Sequence, residues 1–305
     1  MLIIKIYYIS YKEKRMSNFA IVTDSSCDLS AKMADELELT VLPLSFNLSD
    51  KEYHNYLDGR EMSFQDFYSH IRNGEICTTS AVNMEDFATR IEPILQSGTD
   101  VLCIAFSSGL SNTYNAAKLA CEELAPKYPE RKVYAVDTLC ASLGEGLLVY
   151  LAVQQKRKGK SIDEVRAYLE ENKLHLCHWF TVEDLNHLKR GGRVSAATAL
   201  IGTMLNIKPV MHVDDEGHLI NVGKARGRRA SLTALVDHME ETAIDPASQV
   251  VFISHGDSQK DADFVAEQVK KRLGVKTVVT NFVGPVIGTH SGPGTMALFF
   301  LGTHR

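Results

Sequence analysis

The chain has 305 residues, of which 45% are apolar and 23% charged, close to an ordinary soluble globular protein. Its net charge of −5 is small and of the wrong sign for general affinity to nucleic acid or acidic membranes. Length suggests roughly two domains, and a chain of this size buries enough surface to fold without disulfides or a structural metal.

Residues 1–15 form an apolar, β-prone stretch followed by YKEKR, too short to span a bilayer and with no small-residue cleavage site after it. We read them as a non-native or disordered extension, with the working chain starting at Met16. From residue 19, short apolar runs alternate with amphipathic segments. FAIVTDSS leaves a buried strand for a polar loop, and SAKMADELE follows as a helix with Ser30 as N-cap. LTVLPLSFNL reads as one strand. SFQDFYSHIR opens with a Ser63/Asp66 capping pair, and EDFATRIEPILQSG puts Phe87, Ile91, Ile94 and Leu95 on one helical face. The strand DVLCIAF, the helix NTYNAAKLACEELA, the strand KVYAVDT and the helices SLGEGLLVYLAVQQKRKGK and SIDEVRAYLEEN complete this half. Such alternation predicts a parallel sheet covered on both faces over residues 16–172.

The second half, residues 173–305, has a different texture. Strands are predicted in LHLCHWFTV, IKPVMHV, LINVGKA, QVVFISH, KTVVTNF and TMALFFL, and the DDEGH turn makes a hairpin. Helices over 228–243 and 260–273 would cover one face. The expectation is a mixed or antiparallel α/β domain, with the ligand site between the two domains.

Polar residues gather where strands lead into helices, the usual ligand edge of an open parallel sheet. TDSSCD at 23–28 (with Asp24 and Ser25), TTSAVN at 78–83 (with Thr79 and Ser80), SSGLSNTY at 107–114 (with Ser107 and Ser108) and VDT at 136–138 each offer hydroxyls and unpaired N–H groups suited to an anion. A single such loop is more often only a capping device; several on one sheet edge point to a site. No nucleotide-binding P-loop, nucleophile elbow or metal-ligand spacing occurs. The six cysteines are at least 18 positions apart, so no C-x-x-C pair exists, and with no secretion signal they read as reduced thiols of a cytoplasmic protein. Two segments of the second half stand out. GPVIGTHSGPG at 284–294 is glycine-rich around Thr289, His290 and Ser291, and reads as a loop of close backbone approach. LKRGGR at 188–193 and GKARGRRA at 223–230 bring Arg193, Lys224 and Arg226 into an otherwise acidic chain; such runs are usually solvated faces, or a docking surface for an acidic partner.

Taken in order, TDSSCDL, the Thr79-Ser80 pair, SSGLSNTYNAA, VDT, LKRGGR, LNIKPV and GPVIGTHSGPGT resemble the DegV family of bacterial fatty-acid-binding proteins, from about Met16 to the end. The chain departs from the common family pattern in Ala81-Val82-Asn83 after the Thr-Ser pair and in Asn112. The resemblance implies a non-enzymatic carrier that encloses one long-chain fatty acid between its domains and needs no cofactor or metal. It implies that Thr79, Ser107 or Ser108, and His290 hold the carboxylate through charge-assisted hydrogen bonds, supported by Asp24, Ser25, Ser80, Thr289 and Ser291. Burying about fourteen methylenes at ~0.8 kcal/mol each gives a gross term on the order of 11 kcal/mol. It further implies a separate ATP-dependent fatty acid kinase as partner, docking at Arg193, Lys224 and Arg226 and forming an acyl phosphate for phospholipid synthesis. Neither nucleic acid nor a transmembrane segment is expected. The alternative reading is an acyl-transfer or hydrolytic enzyme using Ser108 and His290.

Overall fold

The computed structural model describes residues 19–195 and 206–305, so the expectations for residues 1–15 and Met16 lie outside it. Strand β1 (Phe19–Asp24) ends in a 3-10 turn over Ser25–Cys27, and α1 (Ala31–Glu36) follows with Ser30 Oγ accepting from the Met33 N–H, the expected cap. The stretch read as one strand is two: Pro43 lacks a donor and fixes φ, so β2 (Thr40–Leu42) pairs with β1 while β3 (Ser45–Leu48) leaves for another sheet. There β3 sits between β4 (Lys51–His54) and β5 (Cys77–Ser80), with α2 (Phe64–Arg72) packed alongside. The TTSAVN segment therefore begins as strand, and only its end, Asn83, caps α3 (Met84–Gln96) by accepting from the Asp86 N–H.

β6 (Asp100–Ala105), α4 (Thr113–Leu124), β7 (Val133–Asp137), α5 (Leu143–Arg157) and α6 (Ile162–Asn172) complete the parallel unit, whose sheet order is β2-β1-β6-β7. Beyond Asn172 the chain builds a six-stranded mixed sheet. Its strands are β8 (Leu176–Thr181), β9 (Ile207–Val213), β10 (Leu219–Arg226), β11 (Val250–His255), β12 (Thr277–Phe282) and β13 (Met296–Leu301), in the order β10-β9-β8-β13-β11-β12. All neighbours are antiparallel except β11 with β12. The short α7 (Asn186–Arg190) follows β8, and α8 (Arg228–Thr242) and α9 (Gln259–Leu273) cover the outer face.

The two halves share one core. Helix α5 is buried along most of its length because it is sandwiched between the parallel sheet and the six-stranded sheet, so it shows no amphipathic stripe. Its sequence SLGEG makes this possible. A Cβ at Gly144 would stand 2.2 Å from His178 Nε2, and one at Gly146 would stand 2.5 Å from the Cys27 carbonyl. Helices α3 and α4 close the far face of the parallel sheet.

The glycine-rich 284–294 segment, expected as a loop, contains a seven-residue helix, α10 (Pro285–Ser291), that packs on α2, β3 and β5. Pro285 opens it at the first helical position and Gly292, at φ +79°, ends it. Gly288 serves close packing rather than unusual backbone: a Cβ there would meet Tyr68 Oη at 2.7 Å and Phe67 Cε1 at 2.9 Å. The C-terminal motif is thereby pinned against the small sheet of the first half.

Candidate functional site

A mainly apolar cavity, open to solvent at a mouth, lies between the two halves. Its walls come from the parallel unit (Phe106, Leu110, Ala141), the six-stranded sheet (Phe180, Ala297, Phe299) and α10 (Val286, Ile287). At one place the wall carries a polar pair: Thr79 Oγ1 and His290 Nε2 lie 2.8 Å apart, joining β5 to α10. Thr79 faces α10 because β3 and β5 pair with Phe46 opposite Thr79. His290 sits on the last turn of α10, where the backbone of the LKRGGR segment presses on it: a Cβ at Gly191 would stand 2.1 Å from His290 Nδ1. That glycine was missed as a site residue. Its signal is the Gly-Gly pair inside a basic run whose plainest feature is its charge.

Burial, with the positive charge of Arg193 adding to it, pulls the His290 imidazole down to about 4, so it is neutral around pH 7. Its Nδ1 has no partner among the described residues. The neutral imidazole and the hydroxyl hold one proton each and the bond between them spends one, so the pair offers a carboxylate one donor, the Thr79 O–H or the His290 Nδ1–H according to the tautomer. Ser80 and Ser291 also line the cavity, and the Ser291 hydroxyl is buried without a partner among the described residues. Ser111 and Asn112 line it too, from the same loop as Ser107 and Ser108.

The remaining expected site residues lie elsewhere. Ser107 is fully buried outside the cavity lining; its Oγ donates to the Gly217 carbonyl at 3.1 Å and accepts from the Gly109 N–H, tying the parallel unit to the β9–β10 hairpin. Ser108 is exposed, and its N–H donates to the Asp137 carboxylate. No hydrogen bond links Ser108 to His290, whose partner is Thr79, so the acyl-transfer pairing has no geometric basis here. Asp24 accepts from the N–H groups of Ser26 and Phe106, both at 2.9 Å, and Ser25 Oγ accepts from the Leu44 N–H at 3.0 Å. Neither lines the cavity, yet each fixes a residue, Phe106 or Leu44, that does. Thr289 turns away from it, donating to Pro285 O and contacting Cys77 Sγ.

The three basic residues divide as well. Arg193 is half-buried and lines the cavity; its Nε and Nη2 donate to the Leu110 carbonyl at 3.2 and 3.0 Å, and Nη1 to Gly191 O. This is a correction to its reading as a surface docking group. Lys224 and Arg226 are exposed, two residues apart on the edge strand β10.

Behind the start of α5 lies a cluster of buried acids. Thr23 Oγ1 donates to Glu145, Ser142 bonds Asp28 at 2.5 Å, and Asp28 Oδ1 accepts from the Gly284 N–H at 3.0 Å. Burial pushes Asp24 up to about 6, Asp28 to about 8 and Glu145 well above the usual carboxylate range. All six cysteines are free thiols; Cys27 and Cys103 are raised by burial well above the ordinary thiol value, and Cys121, Cys140 and Cys177 to about 12, so these five are not nucleophiles. No group of three or more candidate metal ligands occurs among the described residues, and none of the described helices is long and apolar enough to cross a membrane.

Comparison with known proteins places this geometry. The sequence profile of the uncharacterised DegV family matches residues 18–303. A DegV domain-containing protein of Clostridium perfringens is 45% identical over 287 residues, covering 94% of this chain and 98% of the relative. Among solved structures, a DegV family protein of Thermus thermophilus described for its fatty acid binding is 31% identical, with a TM-score of 0.82 over 93% of this chain and 99% of its own. A DegV lipid-binding protein of Thermotoga maritima is 29% identical, with a TM-score of 0.83 over 94% and 99%. With the whole fold and nearly the whole sequence in register, this chain is a member of the DegV family.

Proposed function

We propose that this protein is a carrier for one long-chain fatty acid, without enzymatic activity of its own. The observation that carries the reading is the apolar cavity between the domains with the Thr79–His290 pair in its wall. A carboxylate at that pair accepts from the Thr79 hydroxyl, whose oxygen accepts in turn from the His290 Nε2–H, with the Arg193 charge nearby as a further source of attraction. The acyl chain then runs between the parallel unit and the six-stranded sheet, where Phe106, Phe180 and Phe299 exclude water. Each buried methylene contributes ~0.8 kcal/mol, so the tail supplies most of the affinity and the polar pair sets the direction of insertion. Solved relatives described as fatty-acid-binding or lipid-binding support this assignment.

The same reading makes the carrier the substrate-presenting partner of a separate ATP-dependent fatty acid kinase in the cytoplasm, feeding acyl phosphate into phospholipid synthesis. Support comes from the absence of any nucleotide-binding motif in the sequence and from Lys224 and Arg226, exposed side by side on β10. Native mass spectrometry of the purified full chain tests the carrier role: one fatty acid per protein is expected, and a protein that neither retains nor takes up octadecanoic acid would refute it. Arg226→Ala should keep the lipid and lose acyl-phosphate formation with the kinase; unchanged coupling would remove β10 from the docking surface.

A further inference from the structure

The cavity is apolar over most of its length but not at its inner end. Sheet register gives the depth. Ser291 follows His290 in α10, and its carbonyl accepts from Thr295 Oγ1 at 3.0 Å, which ties the start of β13 to the Thr79–His290 pair. Ala297, paired with Phe180 and Ser254, lies one row deeper, and Phe299, paired with His178, one row deeper still. His178 lines the cavity there, 2% exposed, in T-shaped contact with Phe299 at 5.3 Å. Neither of its ring nitrogens has a hydrogen-bond partner among the described residues; the Leu176 backbone comes near without bonding geometry. Ser254, on the neighbouring Ala297 row with β13 between it and His178, and Ser142 line the same cavity with their hydroxyls 2.9 Å apart.

A buried polar group without a partner is costly, and an ordinary saturated tail would leave His178 in that condition. The chain also keeps glycine at 144, where any Cβ would collide with the imidazole. The geometry points to a second, polar subsite at the inner end of the cavity, formed by His178 with Ser254 and Ser142, that selects an acyl chain bearing a hydroxyl or keto oxygen along its length. The inference rests on the fatty-acid reading above and adds the class of acyl chain.

The available protons suit a neutral oxygen. Ser142 has one proton for two neighbours, Asp28 and Ser254. When Asp28 holds a proton, which its rise to about 8 favours at neutral pH, the chain can run from Asp28 to Ser142 to Ser254 and leave the Ser254 hydroxyl as a donor. When Asp28 is ionised the chain reverses and Ser254 offers a lone pair. Burial holds His178 neutral, so it presents one N–H and one bare nitrogen. A second carboxylate is disfavoured, because burying that charge is costly and the one Lys or Arg among the described residues lining the cavity, Arg193, lies beside His290.

Depth sets the position of the oxygen. The four residue steps from Thr295, just before β13, to Phe299 span roughly 13 Å, a distance an extended acyl chain covers in about ten carbon–carbon bonds. Delipidated full-length protein should be titrated with octadecanoic acid and with its 3-, 10- and 17-hydroxy derivatives. The expected result is binding of the 10-hydroxy acid at least about fivefold tighter than either other hydroxy isomer, with the preference lost in His178→Phe and reduced in Ser254→Ala. Octadecanoic acid bound without any preference among the hydroxy isomers, or a preference that survives both substitutions, would overturn the subsite alone. Failure of all four acids to bind would overturn the carrier reading and the subsite with it.

Discussion

Two regions of this molecule are built from hydroxyl-bearing and ionisable side chains and do opposite things. At the cavity wall, Thr79 and His290 face each other at 2.8 Å, with Nδ1 of the imidazole unpartnered among the described residues. At the joint between the halves, Ser107, Asp24 and Asp28 are fully or almost fully buried and committed to backbone N–H groups, a carbonyl or a hydroxyl. Unspent hydrogen-bonding capacity in a cavity wall marks a binding residue; capacity spent on the chain's own backbone marks a scaffold. Hydroxyl-rich loops at the end of a parallel sheet therefore supply both, and only the partner of each hydroxyl tells them apart.

The largest effect should come from the joint. Asp24→Ala leaves the buried N–H groups of Ser26 and Phe106 unpaired at ~1–3 kcal/mol each, offset in part by removing a buried carboxyl, for a net loss of about 2–4 kcal/mol. Denaturant unfolding measures it. Because Phe106 lines the cavity, lipid affinity should fall as well, making Asp24 a residue that supports binding without touching the ligand. Asp24→Ala with full stability would dissolve the contrast between the two regions.

Asp28 sharpens it through pH. Its carboxyl titrates near the ordinary 3.8 when unfolded and about 8 when folded, so the folded state binds the extra proton. The stability it contributes is complete below 3.8 and is lost as pH rises through 8. His212 and His290, both pulled down to about 4 from 6.5, have the opposite sign: their contribution is present above 6.5 and lost as pH falls through 4. The window from 6.5 to 8 therefore isolates the acids. Asp28→Asn, which can accept from Gly284 and donate to Ser142 as the protonated acid does, should remove about 2 kcal/mol of the stability decline across that window. Parallel pH–stability curves for the two proteins would show that Asp28 is ionised in the fold.

At the cavity the expected changes are in affinity. Thr79→Val keeps the shape of the side chain and deletes the hydroxyl that faces His290. Losing one hydrogen bond to a charged carboxylate is worth about 1.4 kcal/mol, or roughly tenfold in affinity for a long-chain fatty acid. Isothermal titration with octadecanoic acid reads it, and thermal stability should barely move. A destabilised Thr79→Val with unaltered affinity would reassign the pair to the scaffold.

The fold was largely legible because its signals are local. The 3.6-residue period of Phe87, Ile91 and Leu95, the caps Ser30 and Ser63 and the DDEGH turn each act within a few residues. The site was legible where a motif carried it, as with Thr79 and His290. It was not legible where the role of a residue is set by a surface far away in sequence. Ser107 is spent because Gly217, 110 positions on, presents its carbonyl; Arg193 turns inward because Leu110 offers an acceptor. His178 gave no signal beyond being a polar residue in a strand buried on both faces, and α10 was hidden because its glycines, which favour a loop, serve close packing on Tyr68 and Phe67.

The smallest expected effect is the most discriminating. Ser107→Ala deletes one neutral hydrogen bond, to the Gly217 carbonyl, and costs about 1 kcal/mol. Gly217 has φ +81°, and a Cβ on it would stand 2.2 Å from Ser107 Oγ, so the hydroxyl fits against a backbone that only glycine can present. Removing the hydroxyl leaves a small gap at the joint and no change in the cavity wall. Unfolding should therefore become easier by that amount while octadecanoic acid binds as tightly as before. If Ser107→Ala instead lost affinity to the extent of Thr79→Val and kept its stability, Ser107 would have to reach the carboxylate in the loaded protein. The hairpin turn at Gly217 would then be the element that moves when the ligand enters.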